Sequence, residues 1–118
     1  MSLVVYYKYA DRRNGWQKGR HKMENDFCQE LYNESFLFGK EYGRKQDREG
    51  INERIETLKK TMKDPKSELY KIIIEVFNLK SDEELKNKVI NTMLKLMEEA
   101  YISGFDNGFK EARQKARA

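Results

Sequence analysis

Apolar side chains recur every three or four residues over most of the chain, which is the period of an α-helix. Phe27, Leu31, Phe38 and Tyr42 line one side of a first helix, predicted to begin between Gly19 and Met23 and to run to about Gln46. Cys28, Tyr32, Ser35, Phe36, Gly39 and Gly43 continue that arc. At ~100° per residue the apolar sector is about 200° wide, twice what a helix lying on a surface needs, so this helix should touch more than one neighbour. Gly50 marks its end or a bend. Beyond it Ile51, Ile55, Leu58 and Met62 form a narrow stripe, which predicts a peripheral second helix.

Asp64 followed by Pro65 reads as a helix start, with an acceptor at the N-cap and proline in the first turn. Leu69, Ile72, Ile73, Val76, Phe77 and Leu79 then surround a short third helix, which this places centrally. Ser81 with Glu84 has the spacing of a capping box and opens a fourth helix. That helix carries Leu85, Val89, Met93, Leu96, Met97, Ala100, Tyr101, Gly104, Phe105 and Gly108 to about Arg113, after which a basic tail should fray. At the other end Leu3 to Tyr9 is aromatic and β-branched but has no second strand to pair with. It reads as an arm lying on the helices. The expected fold is all-α: a small bundle of about four helices, two long and two shorter, with an extended N-terminal arm. It forms one domain over residues 1–118, made of a basic aromatic arm (1–22), a helical body (23–109) and a basic tail (110–118).

Two windows of the long helices repeat. Phe36-Leu37-Phe38-Gly39-Lys40-Glu41-Tyr42-Gly43 lies over Tyr101-Ile102-Ser103-Gly104-Phe105-Asp106-Asn107-Gly108 at a constant offset of 65 positions. Glycine inside a helix costs about 0.5–1 kcal/mol against alanine, so four of them need a compensating gain. The i, i+4 spacing places each pair on one helical face. Missing side chains there let another backbone approach closely, as in small-xxx-small contacts. The two long helices are therefore expected to cross at Gly39, Gly43, Gly104 and Gly108, flanked by Phe36 and Tyr101, within one chain or across a dimer. In these aromatic-x-x-Gly-x-x-x-Gly windows the chain resembles the ends of small uncharacterised helical proteins of Gram-positive bacteria and their phages. The resemblance implies a small helical protein and attaches no chemistry to it.

Charge changes the picture at the two ends. Of 118 residues 37% are charged, for a net +4, with a single proline. Residues 1–22 hold Lys8, Arg12, Arg13, Lys18, Arg20 and Lys22 against Asp11, and residues 110–118 hold Lys110, Arg113, Lys115 and Arg117 against Glu111. The body between them is thus mildly acidic. One cysteine, Cys28, cannot pair within the chain and fits a reducing compartment. No apolar run approaches the ~20 residues of a membrane span, and the opening Leu3–Tyr7 run is too short for a leader core. A cytoplasmic location is expected.

Catalytic parts are scarce. His21 is the one histidine, and no Cys-x-x-Cys, His-Glu-x-x-His or Glu-x-x-His spacing supplies metal ligands. No phosphate-cradling glycine loop is present, so neither a metal nor a cofactor is expected. Cys28 sits on the apolar arc as a small filler rather than a nucleophile. The reading that follows is a non-enzymatic helical interaction module: a homodimeric adaptor, a regulator, or an inhibitor encoded by a mobile element, binding itself or another protein. It rests on apolar arcs wider than four helices of a monomer readily hide. The alternative is nucleic-acid binding. Tyr6, Tyr7, Tyr9 and Trp16 alternate with cations, so rings would stack on bases while Arg12, Arg13, Lys18, Arg20 and Lys22 meet phosphates, the basic tail adding to the same footprint.

Overall fold

The computed structural model describes residues 20–117, with side chains for 24–116. Within them lie four α-helices and no strand: α1 (Arg20–Arg44), α2 (Arg48–Lys63), α3 (Glu68–Val76) and α4 (Glu83–Arg117). The expected all-α bundle of two long and two shorter helices is what forms. The N-terminal arm falls on residues outside this description, apart from Arg20 to Lys22, which are already helical.

Helices α1 and α4 form the spine and pack together along most of α1. They run parallel: positions 39 and 43 of α1 lie against 101 and 105 of α4, in ascending order. A parallel pair cannot be joined by a short hairpin, so α2 and α3 carry the chain back to the starting end. Helix α2 crosses both long helices, and α3 packs on α1 and α2. The stripe Ile51, Ile55, Leu58 and Met62 is buried while the rest of α2 is wet, as a peripheral helix should be. In α3, Leu69, Ile72, Ile73, Ile74 and Val76 are all buried. They join Phe27, Leu31, Ile90, Leu94, Met97, Tyr101 and Phe105 in one core.

The helix ends differ from the sequence expectation in four places. Gly50 does not end α1. The turn is made by Gln46 in the left-handed region (φ 56°), with Gln46 N–H donating to the Gly43 carbonyl and Asp47 N–H to that of Tyr42. This is a Schellman closure without glycine, and Gly50 sits in the first turn of α2, where Asp47 caps its N–H. Asp64 closes α2 rather than opening α3; Pro65 lies in the turn and the N-cap is Ser67, whose Oγ accepts from Tyr70 N–H at 3.1 Å. Asp82, not Ser81, caps α4 by accepting from Leu85 N–H at 3.0 Å. Finally, α4 does not stop near Arg113 but continues to Arg117. Residues 110–117 are rich in good helix formers, and cations suit a helix C-terminus.

Candidate functional site

The four glycines lie where the two long helices touch. An ideal Cβ placed on Gly39 would land on the Tyr101 carbonyl oxygen and 2.9 Å from its carbon; on Gly43, on the Phe105 carbonyl. Reciprocally, Gly104 faces the Phe36 carbonyl and Gly108 that of Lys40. Each glycine therefore sits over the carbonyl three residues before its counterpart on the other helix. The geometry repeats under exchange of α1 and α4, so the 65-residue sequence offset is also a local two-fold relation in space. A glycine hydrogen aimed at a carbonyl is a Cα–H···O contact, worth about 0.5–1 kcal/mol. Ser35 and Ala100, related by the same offset, are buried and extend the small-residue seam one turn upstream. Tyr101 is buried and Phe36 half-buried beside it. The seam is intramolecular, so it is not available to a second copy of the folded chain.

At the far end of this seam Glu111 ties the helices together. Its carboxylate takes the Arg44 Nε–H at 3.0 Å and pairs with Lys40 Nζ at 3.1 Å. The Arg44 hydrogen bond, then that of Lys40, hold the Glu111 carboxyl below the usual glutamate range. Near the other end, burial and then the Glu24 charge push the Cys28 thiol up, so it is protonated and weakly nucleophilic at neutral pH. No three His, Cys, Asp or Glu side chains cluster as a metal site among the described residues.

The apolar arcs are largely consumed by the chain itself, contrary to the expectation of a surplus. Only Leu37, Leu85 and Ile102 remain as large exposed hydrophobics among the described residues. Ile102 stands beside a groove of about 260 Å³ between α2 and α4. Ile55 and Phe105 line its floor, and Arg48, Asn52, Lys59 and Glu98 its edge. The edge is ordered: the Arg48 guanidinium lies 4.8 Å from the Phe105 ring centroid, and Lys59 pairs with Glu98 at 3.7 Å. Sequence reasoning missed this site, because its residues come from two helices whose juxtaposition no local pattern encodes.

The candidate nucleic-acid residues fare differently. Arg12, Arg13, Trp16 and Lys18 lie outside the described residues; Arg20 and Lys22 lie in the first turn of α1, their side chains undescribed. Parallel long helices put that turn at the opposite end from Lys110, Arg113 and Lys115. A helix the length of α4 spans about 52 Å at ~1.5 Å per residue, in keeping with the 54 Å longest dimension. The first turn of α1 and the stretch from Lys110 to Lys115 therefore lie at opposite ends of the described structure. No described helix is long and apolar enough to cross a membrane. Compared with protein-family models, with curated proteins and with solved structures, the chain matches none.

Proposed function

We propose that this protein is a non-enzymatic helical module that acts by binding a protein partner, and that the partner seats on the α2/α4 groove around Ile102. The observation that carries this reading is Ile102 itself. A β-branched aliphatic 49% exposed, over an apolar floor and inside a ring of both charge signs, has the anatomy of an interface anchor with a polar rim. Such a patch fits a segment offering one apolar side chain flanked by mixed charge. A second copy of the chain and a different protein are both partners of that kind.

Light scattering over a range of concentrations, and a photo-reactive residue at position 102 used in host extract, test it together. A partner, self or foreign, should cross-link at position 102, and Ile102→Asp should lose it while the melting temperature stays within a few degrees. The same mass and the same captured proteins for wild type and Ile102→Asp would reject the reading.

A further inference from the structure

The groove beside Ile102 has walls of different charge. Helix α2 lines it with Arg48, Asn52 and Lys59, and α4 with Glu98, Ile102 and Asp106. Two contacts fix the levels along it: Arg48 lies over the Phe105 ring at 4.8 Å, and Lys59 meets Glu98 at 3.7 Å. The walls thus run antiparallel, with Arg48 and Asp106 at one end, Lys59 and Glu98 at the other, and Ile102 between them. At the Lys59 end the charges are matched within the chain, since Lys59 also holds Glu56, the acid of the α2 wall, at 3.5 Å. At the Arg48 end they are not. Arg48 and Asp106 are exposed, and among the described residues neither forms an ion pair.

We infer that the partner seated on this groove is a second copy of the chain, related to the first by a two-fold axis running along the groove. Ile102 remains the anchor of the proposed function, on which this rests; what is added is the identity of the partner. A two-fold interface is isologous, so each wall must meet an image of one of the same two walls. Two orientations are available. With the axis along the groove, α2 of each copy lies over α4 of the other at the same level. Arg48 then meets the partner copy's Asp106, and Asp106 the partner copy's Arg48. Each Ile102 comes over the stretch of the partner copy's α2 around Asn52. With the axis across the groove, α2 lies over α2 and α4 over α4, with the levels reversed. Arg48 would then meet Lys59 and Asp106 would meet Glu98, like charges that oppose docking. The order of charge along the walls selects the first orientation. It also pairs the two groups that have no ion pair within the chain. A foreign protein would have to supply an acid and a base in the matching order, whereas a copy supplies both by symmetry.

Light scattering on full-length charge variants tests the pairing. Wild type should scatter as two chains, twice 14.1 kDa. Arg48→Glu and Asp106→Arg should each scatter as one chain at the same concentration, because like charges then face each other at both contacts. Mixed in equal amounts, the two variants should return to the two-chain mass. In that mixed pair the new acid of one variant meets the new base of the other, and the unaltered Asp106 and Arg48 meet each other. No effect confined to the fold of one chain gives that recovery. If circular dichroism shows either variant unfolded, a photo-reactive residue at position 102 of the otherwise unaltered chain reads the same contact. In a mixture of isotopically light and heavy chains it should join to residues 48–59 of the other copy. A one-chain mass for wild type up to its highest soluble concentration overturns the inference. So do variants that keep the two-chain mass, variants that stay apart on mixing, and cross-links from position 102 into α4 of the other copy. A one-chain protein that still captures a foreign protein through position 102 overturns the second copy and leaves the proposed function standing, whereas no capture at all removes both.

Discussion

At single positions, the seam between α1 and α4 inverts a common rule. Glycine to alanine inside a helix ordinarily stabilises by about 0.5–1 kcal/mol. Here the added methyl meets backbone, which cannot rotate away as a side-chain tip can: the Tyr101 carbonyl for Gly39, the Phe36 carbonyl for Gly104. Gly39→Ala and Gly104→Ala should each lower stability by about 1–3 kcal/mol, the usual cost of overpacking a close contact. Exposed Ser103→Ala, on the same helix as Gly104, should gain a few tenths. Urea unfolding midpoints decide it, and a glycine variant that unfolds later than wild type would remove the close approach from the argument. Gly50 is a different case, since an added Cβ there would meet the side chains of Asp47 and Tyr42 rather than the other long helix.

At the scale of elements, the caps separate what the sequence motif suggests from what the fold uses. Ser67 does two jobs. Its Oγ accepts from Tyr70 N–H, and its hydroxyl donates to the Thr61 carbonyl at 2.6 Å, stapling the end of α2 to the start of α3. Ser67→Ala should therefore cost about 1–2 kcal/mol, at the upper end for a lost cap. The Asp64 side chain accepts from Lys66 N–H in an exposed turn, and its carbonyl bond from Ser67 N–H survives truncation, so Asp64→Ala should fall within about 0.5 kcal/mol of wild type. Thermal melts of the two variants give the order, and a larger loss at Asp64 than at Ser67 would contradict the assignment of the cap. The motifs misled because several acceptors stood within a few residues of each start. Ser67 and Asp82 are ordinary cap residues, and only the backbone's entry angle selects between them and Asp64 or Ser81.

For the whole molecule, the ion pairs at Glu111 fasten the far ends of the two long helices, so they link stability to pH. A carboxyl that ionises more readily folded than unfolded stabilises the fold at pH above its unfolded value, ~4.3 for glutamate. That contribution is lost as pH falls through the lower, folded value. Wild type should melt above Glu111→Gln at pH 6, and the gap should close progressively below about pH 4. Circular dichroism melts at several pH values check this, and a gap that widens on acidification would mean the carboxylate has other partners. High salt should narrow the gap at pH 6, because Arg44 is exposed and Lys40 and Glu111 are in partial contact with solvent.

The sequence by itself determined which segments are helical, roughly where they stop, and which faces are dry. The reason is that a 3.6-residue apolar period is a local property, decided within a turn or two of each residue. It also disclosed the repeated glycines, because four missing side chains in helix interiors have a local cost that demands a distant gain. Whether that gain lay within one chain or between two, and whether the long helices ran parallel or antiparallel, depended on which backbone came to rest against Gly39 and Gly104. Tertiary structure alone settled both. So too with the Ile102 groove: it is assembled from residues of α2 and α4 tens of positions apart, and packing free energy, not local pattern, decides which of them meet.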